Sequence, residues 1–545
     1  MLHPTVFNTA QVCFQLGVKH AVMSPGSRNA PLTISFARHD NIKKWVIPDE
    51  RSAGFVAVGI AQTTKSPVVL CCTSGSALLN YAPAIAEAYY REIPLIILSA
   101  DRPPELIDQR DGQTIRQYEA LKNHVKASYN LPVVLNEAAA SDYQNQLVNG
   151  IKQSMQLPSG PIHINIPFQE PFYPTTDQKL EYSPIDIEKY APGFVGASID
   201  KDISLYKRIL ILVGQQDPDT ELDQVLEKLA DKVPIIKSPL NNLTVGIEHV
   251  DGFINDQDEL KPDLLITSGL SVLSKKLKNY LRKHTPEKHL HLDPAGVEVD
   301  TYLTHPEYIK QPLSRFLENL SFDHVDDRYI QKWKSFESET KLVIDAFPAG
   351  SFSETAATRK VLEAIPANIN LHLSNSMPVR YADLFGVKNG INCFSNRGTS
   401  GIDGCTSTAV GTSLVSDQMN VLITGDLAFQ YDRNAFFHNY DLPNLRIIVL
   451  NNQGGGIFRL IDGPSRLPEL EEYFETRHNR TAEYICAENG FEYFTAKDEP
   501  SLLKHLETFF NNSKSAKVLE IFTSPEINQK VYKELKKHIH ERINN

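Results

Sequence analysis

VLITGD (421–426) and RIIVLNNQGGG (446–456) are two apolar runs with a polar stop at each carboxyl end: Asp426 in the first, Asn452 in the second. Gly454, Gly455 and Gly456 follow directly behind. At the ends of parallel strands a carboxylate and a carboxamide can share one hard divalent ion and leave its other positions to phosphate oxygens. The backbone carbonyl near Gly454 supplies a third protein oxygen, and the glycines let the chain approach closely. A strand-terminal Gly-Asp by itself reads as an ordinary turn. Joined to Asn452 and the glycine run, it predicts a cradle for a magnesium diphosphate at the end of a parallel α/β sheet.

Outward from that stretch, short apolar strands alternate with helical segments, the pattern of parallel α/β layers. VVLCCTS (68–74), LIILSA (95–100) and IHINIP (162–167) form a first series. RILILVG (208–214), LLITSG (264–269) and HLHLD (289–293) form a second. INLHLSNS (369–376), VLITGD, IIVLNN and KVLEIF (517–522) form a third. A chain of 545 residues has room for about three domains. The sequence therefore predicts three doubly wound parallel-sheet domains at 1–175, 195–335 and 345–545, with a Pro-rich linker, PFYPTTDQKLEYSPIDIEKYAPGF, at 171–194. The middle series opens on Gly214-Gln215-Gln216-Asp217, so it lacks the G-x-G-x-x-G of a dinucleotide site.

A net charge of −11, from 55 basic and 66 acidic residues, argues against nucleic acid as a partner. No apolar run approaches the ~18 residues of a membrane span, and MLHPTVFNTAQVCFQLG has no basic stretch leading into an apolar one. Cys13, Cys71, Cys72, Cys393, Cys405 and Cys486 show no metal-ligand spacing and read as reduced core thiols, so a cytoplasmic protein is expected. The carboxyl-terminal KVYKELKKHIHERINN reads as a solvated amphipathic helix.

In VIPDERSAGFVAVGIAQ (46–62), Glu50 opens a helix whose Ala53, Gly54, Ala57 and Gly59 permit close packing. Alone, Glu50 is a carboxylate suited to a helix start. A lone acid in the first domain paired with a diphosphate cradle in the third resembles the thiamine diphosphate (ThDP) enzymes. The resemblance implies an aminopyrimidine-binding first domain whose glutamate, here Glu50, shares a proton with the ring, and a third domain that binds diphosphate through Mg2+ or Mn2+. Asp426, Asn452 and Gly454 would be the metal ligands, with Gly455 beside them. Such a carboxyl suits general acid–base work, and the cofactor supplies the difficult chemistry.

Within that superfamily, SPGSRNAPL (24–32), DERSAGF (49–55), TSGSALLN (73–80), SADRPPEL (99–106), GQTIRQ (112–117), SNSMPVR (374–380), SNRGTSGIDG (395–404), GDLAFQYDRNA (425–435) and NNQGGGIF (451–458) resemble the 2-succinyl-5-enolpyruvyl-6-hydroxy-3-cyclohexene-1-carboxylate synthases of menaquinone biosynthesis. The match is strong in both outer domains and faint in the middle one. That family decarboxylates 2-oxoglutarate and adds the four-carbon unit to isochorismate. Both substrates are dianions, and arginines in loops at strand ends can grip carboxylates with paired hydrogen bonds.

The resemblance implies that Arg380 and Arg397, with Ser376 nearby, hold 2-oxoglutarate. Ser27, Arg28, Arg102 and Gln113 would serve the substrate site from the first domain, with Ser27, Arg28 and Gln113 facing isochorismate. Lys275 and Lys276 would reach in from the middle domain. Lys276 stands where the family pattern has an arginine, so it keeps the charge and loses the planar fork. Ile402 would press beneath the cofactor, and Ile457, Phe458 and Ile461 would wall the cavity. Each is also an ordinary core residue type. The family further implies a homodimer or homotetramer with active sites at subunit interfaces. Another ThDP-dependent 2-oxoacid decarboxylase or carboligase is the alternative reading; a nucleotide enzyme is disfavoured because no G-x-x-x-x-G-K-[ST] occurs.

Overall fold

The continuous apolar runs become the inner strands of three all-parallel sheets, as expected for strands covered on both faces by helices. The computed structural model describes residues 3–170, 172–174, 180–186, 201–348 and 350–544. The first sheet runs Lys43–Val46, His20–Met23, Val68–Cys72, Leu95–Asp101, Ile162–Pro167, Ser128–Asn130 in spatial order. The second runs Glu307–Ile309, Lys288–Leu292, Leu264–Ser268, Ile209–Val213, Ile235–Ile236. The third runs Asn392–Phe394, Asn370–Leu373, Asn420–Gly425, Leu445–Asn451, Lys517–Phe522, Glu492–Ala496. Numbered by chain order within each sheet, the first and third both read 2-1-3-4-6-5, so one topology is used twice.

The chain gathers into two compact units. One comprises Met1–Gly193, Asn396–Asp417 and Tyr431–Leu442; the other comprises Phe194–Ser395, Gln418–Gln430 and Pro443–Asn545. The first unit is built around the first sheet, with Phe36, Val69, Ile96, Leu98 and Ile164 in its core. Helix Glu50–Thr64 starts on Asp49, whose carboxylate accepts from Ser52 N–H at 3.2 Å, and ends at Lys65 in the left-handed region. It packs on helix Cys405–Ser413 of the same unit. A Cβ at Gly59 would lie 2.1 Å from Thr408 O, and one at Gly411 would lie 2.2 Å from Val56 O, so no side chain fits at either crossing. This is the close packing that the small residues of the helix predicted.

The second unit holds the other two sheets. Strand Asn420–Gly425 stops one residue earlier than expected, and Asp426 opens helix Asp426–Tyr431 instead of closing the strand. The carboxyl-terminal helix, Pro525–Asn544, is not simply solvated: Leu535 and Ile539 are buried in one cluster with Ile344 and Leu384. Of the expected linker, residues 172–174 and 180–186 are described. There Tyr182 donates to Ser35 O at 2.6 Å, and Ser183 N–H donates to Asn8 at 3.0 Å. The remainder of the linker lies outside the described residues. All six cysteines are free and buried. Among the described residues no helix is long and apolar enough to cross a membrane.

Candidate active site

The strand ends of the third sheet bring Asp426, Asn452 and the glycine run together. Asp426 is 4% exposed; its Oδ1 accepts from Leu427 N–H at 2.7 Å and its Oδ2 from Gly454 N–H at 3.0 Å. Burial pushes this carboxyl up to about 7 in spite of those bonds. Asn451 Oδ1 accepts from Gln453 N–H at 2.9 Å, and Gln453 takes a φ of 65°, which turns the chain sharply into the glycines. Asn452 Nδ2 donates to the buried Glu354 at 2.7 Å, whereas Asn452 Oδ1 is buried with no hydrogen-bond partner among the described residues. An orphaned amide oxygen and a buried carboxyl at adjoining strand ends are oxygen donors of the kind a hard divalent cation takes among its ligands. A Cβ at Gly456 would lie 2.5 Å from Asn452 Nδ2, so a larger residue there would force that amide to shift. The residues present therefore fit a magnesium-type ion.

The segment after the glycines is tied down by charge. Gly455 N–H donates to Glu475 O at 2.8 Å, and the buried Glu475 carboxylate pairs with Arg459 (2.5 Å) and Arg477 (3.4 Å). Both arginines also reach Glu471 and Glu526. A carboxylate this deep needs such partners, because an unpaired one would ionise only at large cost. Ile457 and Phe458 are half-buried here and Ile461 is exposed.

Also in the second unit, Ser376 precedes helix Met377–Phe385 with φ 75° and ψ −127°, a conformation that strains any residue with a Cβ by ~1–3 kcal/mol. Arg380 NH1 donates to Ser376 O at 2.6 Å, which secures the strained residue and the guanidinium to each other. Lys275 and Lys276 are exposed in the first turn of helix Lys275–Lys283.

In the first unit Glu50 is half-buried, and Asn80 Nδ2 donates to its Oε2 at 3.1 Å, fixing the carboxyl by one oxygen. Arg28 is 4% exposed: it donates to Phe168 O at 2.9 Å, lies 4.4 Å over the Phe172 ring and stands 3.8 Å from Glu170. Its neighbour Ser27 is exposed, as is Gln113, which takes a φ of 56°. Arg102 donates to Gly112 O at 2.9 Å and lies 3.6 Å from Asp111, so it holds the loop that presents Gln113. Arg397 and Ile402 are half-buried. The backbone next to Arg397 is gripped by the fully buried Glu87, which accepts from Gly398 N–H (2.9 Å) and Thr399 N–H (2.7 Å).

Glu87, Glu354, Glu475 and Gln117 escaped the sequence reading. Gln117 accepts from Gly75 N–H at 2.7 Å and donates to Ala100 O at 3.1 Å, so it braces TSGSALLN. It lies inside the GQTIRQ motif, which was its only signal. The glutamates carry none, since a single acid in a helix or loop reads as surface.

Asp432 caps helix Cys405–Ser413, accepting from Ser407 N–H at 2.6 Å and Ser407 Oγ at 2.7 Å. Burial pushes its carboxyl from 3.8 up to about 7. The folded protein thus holds this proton more tightly than the unfolded chain does. Its favourable contribution is complete below about pH 4 and is lost as the pH rises to about 7. Thermal melts across this range are expected to show Asp432→Asn gaining on the wild type up to about pH 7 and then levelling off. A pH-independent difference would count against the buried acid.

Residues 8–121 match the family model described as the thiamine pyrophosphate enzyme, N-terminal TPP binding domain, which sets the Glu50-bearing fold among the thiamine pyrophosphate enzymes. Over nearly its whole length the chain is also similar to proteins named 2-succinyl-5-enolpyruvyl-6-hydroxy-3-cyclohexene-1-carboxylate synthase. The relative from Cytophaga hutchinsonii is 43% identical, with 98% of each chain covered. That from Flavobacterium johnsoniae is 38% identical, covering 99% of this chain and 100% of its own. That from Porphyromonas gingivalis is 38% identical over 93% and 92% respectively. The chain belongs to the 2-succinyl-5-enolpyruvyl-6-hydroxy-3-cyclohexene-1-carboxylate synthase family.

Proposed function

We propose that the protein is a ThDP-dependent transferase of menaquinone biosynthesis. It decarboxylates 2-oxoglutarate and adds the resulting four-carbon unit to isochorismate, releasing CO2 and 2-succinyl-5-enolpyruvyl-6-hydroxy-3-cyclohexene-1-carboxylate. The observation that carries this reading is full-length similarity to synthases of that name, 43% over 98% of both chains. When bound, ThDP supplies the carbon nucleophile and the electron sink for loss of CO2.

In this reading Glu50 holds and returns one proton at the aminopyrimidine, through the oxygen that Asn80 leaves open. Asp426, Asn452 Oδ1 and the carbonyl of Gly454 hold Mg2+ or Mn2+, and the amides around Gly455 receive the diphosphate. Arg380, Arg397 and Ser376 bind the 2-oxoglutarate carboxylates; the support is the strained Ser376 clamped by Arg380. Ser27, Gln113, Lys275 and Lys276 face isochorismate. Arg28 and Arg102 set the loops around it, since each already donates to a backbone carbonyl. Ile402, Ile457, Phe458 and Ile461 exclude water from the reacting carbon. Residues 1–175, 195–335 and 345–545 form the aminopyrimidine, central and diphosphate domains of a cytoplasmic homo-oligomer, a dimer or tetramer whose active sites lie at subunit interfaces.

The test is to incubate the purified protein with ThDP, Mg2+ and 2-oxoglutarate, with and without isochorismate. CO2 release coupled to consumption of isochorismate is the expected outcome. CO2 released at the same rate with isochorismate left untouched would replace this assignment with another 2-oxoacid decarboxylase or carboligase.

A further inference from the structure

Consecutive asparagines end strand Leu445–Asn451, and each has its amide nitrogen on a buried glutamate: Asn451 on Glu520 at 2.7 Å, Asn452 on Glu354 at 2.7 Å. The two differ in what the amide oxygen meets. Asn451 Oδ1 accepts from Gln453 N–H, whereas Asn452 Oδ1 has no partner among the described residues. A carboxamide is symmetric in shape, so nothing in packing alone decides which end faces the cradle. Glu354 decides it, because turning the amide over would set Oδ1 against a carboxylate oxygen and leave two acceptors facing each other.

Glu354 is itself immobilised. It is the first residue of helix Glu354–Ala364, behind the cap Ser353, and it is 3% exposed. Its N–H donates to Asn528 Oδ1 at 2.8 Å, and its Oε2 accepts from Tyr381 OH at 3.3 Å. Asn528 is in turn held by Thr523 Oγ1 at 2.9 Å. Asn528 thus fixes the Glu354 backbone and Tyr381 its carboxyl, and that carboxyl fixes one amide. Partners of this kind, behind a metal ligand, orient the ligand and set its affinity.

We infer that Glu354 is a positioning residue of the cation site, holding the Asn452 amide with its oxygen toward the metal. The inference rests on the reading of Asp426, Asn452 and Gly454 as a metal–diphosphate cradle. It predicts an asymmetry between substitutions of similar size. Glu354→Gln keeps an acceptor oxygen for Asn452 Nδ2, whereas Glu354→Leu removes it and frees the amide to turn.

The experiment is calorimetric titration of ThDP into the full-length protein at fixed Mg2+, and of Mg2+ at saturating ThDP, with no substrate present. Glu354→Leu is expected to weaken both by about tenfold or more, and Glu354→Gln by less than about threefold. Adding Asn452→Asp to the leucine variant should restore most of the Mg2+ affinity, since a carboxylate presents oxygen whichever way it turns. If the leucine variant does not fold, Glu354→Met, whose flexible chain fills the same space, takes its place in both arms. Native affinity in the leucine or methionine variant overturns the inference. A loss that Asn452→Asp does not restore also overturns it, because it would make Glu354 a support of the fold alone. The underlying cradle reading fails separately, if Asn452→Ala binds Mg2+ and ThDP like the wild type.

Discussion

Glu50→Gln is expected to lower kcat by about 10²–10⁴-fold, the range that a positioned general acid–base group contributes, with the fold intact. Glutamine has nearly the volume of glutamate and keeps an oxygen for Asn80 Nδ2, so the 3.1 Å contact and the helix start on Asp49 both survive. What it loses is the exchangeable carboxyl proton. ThDP binding should change far less than turnover, because the proposed cradle holds the diphosphate end of the cofactor through other residues. The measurement is kcat at saturating ThDP and Mg2+, alongside a ThDP titration and a circular dichroism melt. A variant that turned over at near-native rate would remove Glu50 from the proton path.

Asp426→Ala and Asn452→Ala are expected to lose Mg2+ and ThDP together, by ~3–5 kcal/mol, the scale of breaking a buried charge pair, which is more than a hundredfold in Kd. The reason is compensation. Asp426 is buried enough for its carboxyl to be pushed up to about 7, so in the proposed cradle a cation would make its charge tolerable there. In the proposed cradle, removing it would take an anionic oxygen from the cation, and the cation is what would offset the diphosphate charge. The alanine at 452 removes an amide oxygen that has no partner among the described residues, a loss that should fall on the metal, together with the amide nitrogen that donates to Glu354 at 2.7 Å, a loss that falls on the apo fold. Titrations of ThDP at several fixed Mg2+ concentrations check both claims. If one variant lost metal while ThDP affinity stayed native, the diphosphate would be held independently of the ion.

The strands that could be read from sequence and those that could not divide along a physical line. VVLCC, LIILSA, IHINIP, ILILV, LLITS, VLITG and IIVLN stand out because inner parallel strands are buried on both faces and are therefore mostly apolar. The edge strands of all three sheets went unread: Lys43–Val46, Ser128–Asn130, Ile235–Ile236, Glu307–Ile309, Asn392–Phe394 and Glu492–Ala496. They are two to five residues long, and most carry Lys, Glu, Asn or Tyr, as edges open to solvent do. His20–Met23 is an inner strand that also went unread.

The site divides in the same way. Asp426, Asn452 and the glycines are proposed from strand-end chemistry, which is local, and Glu50 from a helix start and small-residue face that are local too. The parallel α/β class and, through nine ordered motifs, the family are legible in the residues before any fold is known, and the proposed metal–diphosphate cradle rests on the same local signals. Which way the Asn452 amide faces is set by the fold, since it depends on Glu354, 98 positions away. The tertiary structure alone showed that Arg28 is largely spent on Phe168, 140 positions away, and that Glu87 grips the loop beside Arg397 from 311 positions away. An isolated buried carboxylate costs too much to exist without partners, and those partners converge only when the chain has folded.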